Sequence, residues 1–143
     1  MLIKQISIFI PNKKGSLSQL TDILIAHHID IRAIAVFDTA EFGILRIVVD
    51  DPDRAVDVLN KEGVVAKVSR VIAVEPEDKP GSLNTIFSIL RDADINIEYI
   101  YSFIMRQKEM PYVVLKVDQQ EKAVDELTAH GINVVNKEEI YGK

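Results

Sequence analysis

Two short stretches carry residue types and spacings that could do chemistry, Asn12-Lys13-Lys14-Gly15-Ser16-Leu17 and Asp78-Lys79-Pro80-Gly81-Ser82-Leu83. A glycine between a strand and a helix can take positive φ and leave the first helical amides open to solvent. Such amides, together with the helix dipole, attract anions. A free amino acid brings a carboxylate for the amides and an ammonium that needs an acceptor, which the Asn12 carbonyl or the Asp78 carboxylate would supply. Lys13, Lys14 and Lys79 add positive charge nearby, weakly once solvent screens it. On the residues alone a plainer reading stays open: both glycines make turns and Ser16 and Ser82 cap helices, Ser16 with Gln19 fitting a capping box.

Other chemistry has less support. His27 and His28 are adjacent, so on a helix they point about 100° apart, and no carboxylate cluster at ligand spacing joins them. No metal site is expected. Asp50-Asp51-Pro52-Asp53 has the composition of a hard-cation cluster, but acids and a proline at a helix start explain it more simply. Neither glycine turn contains the Arg that an acyl-phosphate hydrolase would aim at phosphate, and neither serine has a His nearby in sequence to activate it. No catalytic residue and no cofactor are expected. Tyr99, Tyr101 and Phe103 alternate on one strand and could stack bases, yet the acidic chain favours packing against a sheet. Met105 and Met110, around Arg106 to Glu109, could line a ligand lid or a plain hairpin.

Composition sets the frame. The chain has 143 residues, 48% hydrophobic and 27% charged, in line with a packed globular protein. Its net charge of −5 repels phosphate backbones, and no dense Lys or Arg run offsets it, so no nucleic-acid partner is expected. The absence of cysteine removes disulfides, thiolate metal sites and Cys nucleophiles together. No apolar run approaches a membrane span and the start lacks signal-peptide features, which reads as a cytoplasmic chain with no membrane partner.

The elements that must position the two turns are themselves repeated. Gly15-Ser16-Leu17 recurs as Gly81-Ser82-Leu83 at a displacement of 66 (81 − 15), and Leu20, Leu24, Ile29, Ile31 and Ile34 fall on Ile86, Leu90, Ile95, Ile97 and Ile100 at the same displacement. Later, Ala55, Asp57, Leu59 and Gly63 match Ala123, Asp125, Leu127 and Gly131 at 68 (123 − 55). The two extra residues belong in a hairpin, where Arg106 to Met110 is longer than Asp38 to Glu41. Each copy reads strand, helix, strand, strand, helix, strand. Ile6, Ile8 and Ile10 alternate, Leu17, Leu20, Ile23 and Leu24 are spaced by three and four, and Gly63 ends the second helix. The expected fold is α+β, two ferredoxin-like βαββαβ units in tandem over residues 1–68 and 69–143, antiparallel sheets with helices on one face. The strand Val64 to Val68 leads almost directly into Val71 to Val74 with no Gly- or Pro-rich linker. Sheets covered on one side and open at their edges give each unit reason to pair, and a homodimer is expected.

Asp78-Lys79-Pro80-Gly81-Ser82-Leu83 and Asp94-Ile95-Asn96-Ile97 resemble the ACT family, whose first turn often reads Asp-Arg-Pro-Gly before an apolar helix and whose second strand commonly opens on Asn-Ile. The first copy departs from that pattern, with Asn12 for the acid, Lys14 for the proline and Asp30-Ile31 for Asn-Ile. The resemblance covers essentially the whole chain. It implies a stand-alone tandem ACT protein, non-catalytic, that holds a free amino acid at an interface between ACT units and is read by a regulated enzyme or other protein. The binding residues it implies are Asn12, Lys14, Gly15, Ser16, Leu17 and Asp30 in one copy. In the other they are Asp78, Lys79, Pro80, Gly81, Ser82, Leu83 and Asn96. A protein-interaction module without ligand, or a small acyl-phosphate hydrolase, are the competing functions.

Overall fold

The computed structural model describes residues 2–38, 42–104 and 111–141. Along the chain run β1 (Ile3–Pro11), α1 (Ser16–Ala26), β2 (Ile31–Asp38), β3 (Phe42–Val49), α2 (Pro52–Lys61), β4 (Ala66–Glu75), α3 (Ser82–Asp92), β5 (Ile97–Ile104), β6 (Pro111–Val117), α4 (Gln120–Ala129), β7 (Asn133–Val134) and α5 (Lys137–Tyr141). They form two compact units, Lys4–Ser69 with Tyr141–Lys143, and Arg70–Ile140 with Met1–Ile3.

In the Lys4–Ser69 unit, β3 lies between β2 and β1, both antiparallel to it. The register sets Ile8 opposite Leu45 and Ile6 opposite Ile47, so one set of alternating side chains shares a face. Leu20 and Leu24 of α1 and Ala55, Val58 and Leu59 of α2 pack on Ile6, Ile8, Ile10, Leu45 and Ile47 as a single core. Buried Gln5 donates from Nε2 to Ser69 Oγ at 3.1 Å, tying β1 to the opening residues of β4. The Arg70–Ile140 unit repeats the scheme: β6 lies between β5 and β4, β7 pairs with β4, and α3 and α4 cover Ile72, Val74, Val113, Leu115 and Val117. Both units are thus α+β with antiparallel strands and helices on one face, as the periodicities require.

The helix starts differ in chemistry. Asp51 caps α2, its carboxylate accepting from the Arg54 amide at 3.3 Å, with Pro52 and Asp53 in the first turn. At α1 the expected capping box is absent. Gly15 occupies the cap position in the left-handed conformation, Ser16 is already helical, and among the described residues no side chain caps the helix. A residue one place inside the helix cannot return its hydroxyl to the amide three residues on. The two strands expected at the junction of the copies are one continuous strand, β4, because nothing between Val68 and Val71 breaks an extended backbone. The final strand of the second copy is only the pair Asn133–Val134, followed by α5, which the periodicity did not announce.

Within the Lys4–Ser69 unit, Tyr141 fixes the far end of the chain to β1. Its hydroxyl accepts from the Lys4 amide at 2.5 Å and donates to the Lys4 carbonyl at 3.2 Å. Burial pushes the phenol above its ordinary value of 10.0; the Lys4 backbone bond pulls it down and the charge of Asp53 pushes it up. A raised folded pKa means the native state holds the proton more tightly than the unfolded chain. The resulting stability is fully present below about pH 10 and is lost as pH rises through that value and on to the folded pKa. Tyr141→Phe is expected to lower unfolding stability by about 1–2 kcal/mol at pH 8 through two lost hydrogen bonds. Its stability should also fall less steeply between pH 9 and 11 than that of the unmutated chain, which chemical denaturation across that range would measure.

Candidate functional site

The two glycine turns have nearly the same geometry. Gly15 has φ 88° and ψ −8°, and Gly81 has φ 88° and ψ −3°. Ahead of Gly15, the Lys13 amide donates to the Pro11 carbonyl at 3.0 Å and the Ser16 amide to the Lys13 carbonyl at 3.3 Å. In the second copy Lys79 donates to Glu77 at 2.9 Å and Ser82 to Lys79 at 3.3 Å. The first helical bond runs from Gln19 to Gly15 and from Thr85 to Gly81, both at 3.0 Å. Between these bonds the amides of Leu17 and Ser18, and of Leu83 and Asn84, are those for which helix geometry supplies no acceptor. Each turn therefore ends in a pair of amide donors at the head of an eleven-residue helix, with the positive end of its dipole behind them.

The side chains around the turns complete or limit this donor set. Asn12, Lys14, Gly15 and Leu17 are exposed, whereas Ser16 is 8% exposed and its buried Oγ has no hydrogen-bond partner among the described residues. A buried hydroxyl without a partner is unusual and leaves one donor available in the first copy that half-buried Ser82 does not duplicate. In the second copy Asp78, Lys79, Pro80, Gly81 and Leu83 are exposed. Lys79 Nζ lies 2.8 Å from Glu77 Oε2, and the hydrogen bond and charge of Glu77 raise the Lys79 pKa. Glu77 was absent from the sequence-derived residues; its place two positions before Lys79, in a turn that folds back on itself, is the only signal that could have pointed to it.

Asp30 and Asn96 stand apart from the turns of their own copies. Each follows the C-terminal end of its helix, about 16 Å from the glycine by helix rise. There they make matching backbone contacts. The Asp30 amide donates to Asp50 Oδ1 at 3.1 Å and the Asp50 amide to the Asp30 carbonyl at 3.1 Å. Asn96 does the same with Asp118, at 3.0 and 3.2 Å. Asp30 Oδ2 also accepts from Arg32 Nη1 at 2.7 Å. The structure thus gathers Asn12, Lys14, Gly15, Ser16 and Leu17 in one turn and Asp78 to Leu83 in another, and leaves Asp30 and Asn96 at the opposite helix ends.

The remaining features have local partners. His27 Nδ1 lies 3.0 Å from the Ile23 carbonyl, and among the described residues no group of three His, Asp or Glu could hold a metal ion. Phe103 stacks on buried Tyr112 with centroids 5.6 Å apart, so that end of the aromatic stripe of β5 packs within its own sheet. Met105 and Met110, with Arg106 to Glu109, lie outside the described residues, as do residues 39–41. An open groove of ≈ 390 Å³ runs between α3 and α4, lined by Asn84, Ser88, Asp92, Glu126 and His130 among others. Among the described residues no helix is long and apolar enough to cross a membrane.

Comparison with known proteins adds an independent line. The family model for the ACT domain pair matches residues 1–142. Among solved structures, protein BT0572 from Bacteroides thetaiotaomicron is similar with a TM-score of 0.91 and 29% identity, over 100% of this chain and 98% of that one. The ligand-free regulatory subunit of aspartate kinase from Thermus thermophilus has a TM-score of 0.63 and 18% identity, over 90% and 93%. The regulatory subunit of aspartate kinase from Thermus flavus gives 0.61 and 17%, over 88% and 90%. At those identities the two kinase subunits share the fold. No curated protein matched.

Proposed function

The chain belongs to the ACT domain pair family, a family of regulatory units, and from that premise we propose that it is a non-catalytic sensor that binds a free amino acid at an interface between ACT units. The observation that carries the reading is the repeated glycine turn: two left-handed glycines with φ 88°, each followed by open amides at a helix head. Such a donor pair suits a carboxylate. An acceptor one turn earlier, Asn12 or Asp78, suits the ammonium carried by the same small molecule. Two regulatory subunits of aspartate kinase share the fold with this chain, which supports a regulatory role here. The bound amino acid would favour one arrangement or one oligomer, and a regulated enzyme or other protein in the cytoplasm would read that state.

The reading is tested by thermal unfolding against the twenty amino acids, one at a time. A ligand that binds only the native state at a hundred times its Kd adds about 2.7 kcal/mol. For a chain of this size that is a rise of roughly 2–4 °C per kcal/mol. One amino acid, or a chemically related few, should give such a rise, and the response should be lost in Asp78→Ala, Asn12→Ala or the double variant. No response to any of the twenty would favour an interaction module without ligand.

A further inference from the structure

We infer that the amino acid of the sensor reading is an acidic one, and that the first glycine turn takes it while the second does not. The inference rests on that reading and names its ligand. At the displacement of 66 the two turns share a backbone, with φ 88° at both glycines, and differ in charge. Residues 9–17 hold Lys13 and Lys14 and no acid, a formal charge of +2. Residues 75–83 hold Glu75, Glu77, Asp78 and Lys79, a formal charge of −2. Lys13 and Lys14 are both exposed, and among the described residues neither is in an ion pair. Lys79 is held by Glu77 at 2.8 Å, and Glu75 Oε2 accepts from the neutral Asn133 Nδ2 at 3.1 Å, so the second turn keeps its excess of negative charge. A carboxylate approaching the second helix head meets that excess. Approaching the first, it meets two cations.

The buried serine separates the turns on independent grounds. Ser16 is 8% exposed and its Oγ has no hydrogen-bond partner among the described residues, whereas Ser82 is half-buried. Burying a hydroxyl without a partner costs stability, and a ligand oxygen would recover it. The Cα–Cβ bond of a helical residue tilts toward the helix N-terminus, so the side chain of Ser16, the first residue of α1, is directed to the end where the Leu17 and Ser18 amides are open. Two amides and one hydroxyl make a donor set for one carboxylate. The second carboxylate of an acidic amino acid then lies in the field of Lys13 and Lys14, and the Asn12 carbonyl accepts from the ammonium. A neutral amino acid leaves both lysines without a counter-charge, and a basic one is repelled. The gain from two exposed lysines is modest, roughly tenfold in affinity after solvent screening.

Isothermal titration calorimetry of the full chain at low ionic strength, with L-aspartate, L-glutamate and their amides L-asparagine and L-glutamine, tests both parts. One of the two acids is expected to bind at one molecule per chain and roughly tenfold more tightly than its amide. The preference should vanish in the Lys13→Gln, Lys14→Gln double variant and shrink as salt is added. Ser16→Ala should weaken binding of the acid at least about tenfold. Because the hydroxyl has no partner among the described residues, the same variant should unfold at no lower a denaturant concentration, an outcome that a merely structural serine would not give. Amides bound as tightly as the acids, two molecules per chain, or an undiminished affinity in Ser16→Ala would overturn the inference. A neutral or basic amino acid bound in place of the acids would also overturn it and would leave the sensor reading standing. No binding by any of the twenty would remove both.

Discussion

Gly81→Val is expected to lower unfolding stability by about 1–3 kcal/mol, the range for a residue held in a sparsely populated backbone region, and to abolish any stabilisation by an amino acid. At φ 88° a β-branched side chain is strained, although among the described residues a Cβ there would meet nothing within 4 Å. The effect is therefore conformational and not steric crowding. Relief of the strain requires the turn to leave the left-handed region, which re-aims the Leu83 and Asn84 amides away from a common anion. Gly15→Val carries the same expectation for the first copy, since its φ is the same and its Cβ is equally unobstructed. If only one of the two abolishes the response, that variant identifies the copy that binds. Guanidinium titration of each variant, with and without the amino acid that stabilises the unmutated chain, separates strain from lost binding. A valine variant that retains the full ligand response would remove the turn from the site.

The largest stability loss is expected at Leu59→Ala or its repeat counterpart Leu127→Ala, at about 2–5 kcal/mol. Both leucines are 0% exposed and each belongs to the core of its own unit. Removing the side chain forfeits the burial of its apolar surface and leaves a cavity that a rigid sheet beneath a helix cannot close. Leu83→Ala offers the contrast. It is 41% exposed at the first turn of α3 and should change stability by less than about 1 kcal/mol. Denaturant midpoints for the three variants would decide; equal losses at Leu59 and Leu83 would contradict the assignment of core and surface.

The fold was legible because two periodicities agreed twice. Ile6, Ile8 and Ile10 alternate and become one buried row of β1, while Leu20 and Leu24 lie one helical turn apart and become the buried stripe of α1. The recurrence of Gly-Ser-Leu then fixed the phase of the second copy. Details that depend on a single φ or on a distant partner were not legible. Ser16 followed by Gln19 satisfies the sequence pattern of a capping box, but a left-handed Gly15 takes the cap position and moves Ser16 inside the helix. β7 is a strand of two residues because its partner is the end of β4, and nothing in Asn133-Val134 announces that length.

The site was legible as two turns and no further. Gly15 and Gly81 declare themselves, since a glycine between an alternating run and a helical one marks a chain reversal. Asp30 and Asn96 entered through resemblance, yet in the structure their backbones bond to Asp50 and Asp118, about twenty residues away along the chain. Pairing at that separation is a product of tertiary structure. The buried Ser16 hydroxyl, without a partner among the described residues, is likewise a matter of what covers it, which no local pattern records.

The central claim, that the chain holds a free amino acid, is tested most directly by equilibrium dialysis of the full chain against an equimolar mixture of the twenty amino acids, with analysis of what the protein retains. The expected result is retention of one amino acid, or of a chemically related few, in near-stoichiometric amount, lost together with the turn geometry in the Gly15→Val, Gly81→Val double variant. Equal concentrations of all twenty on both sides of the membrane would contradict it.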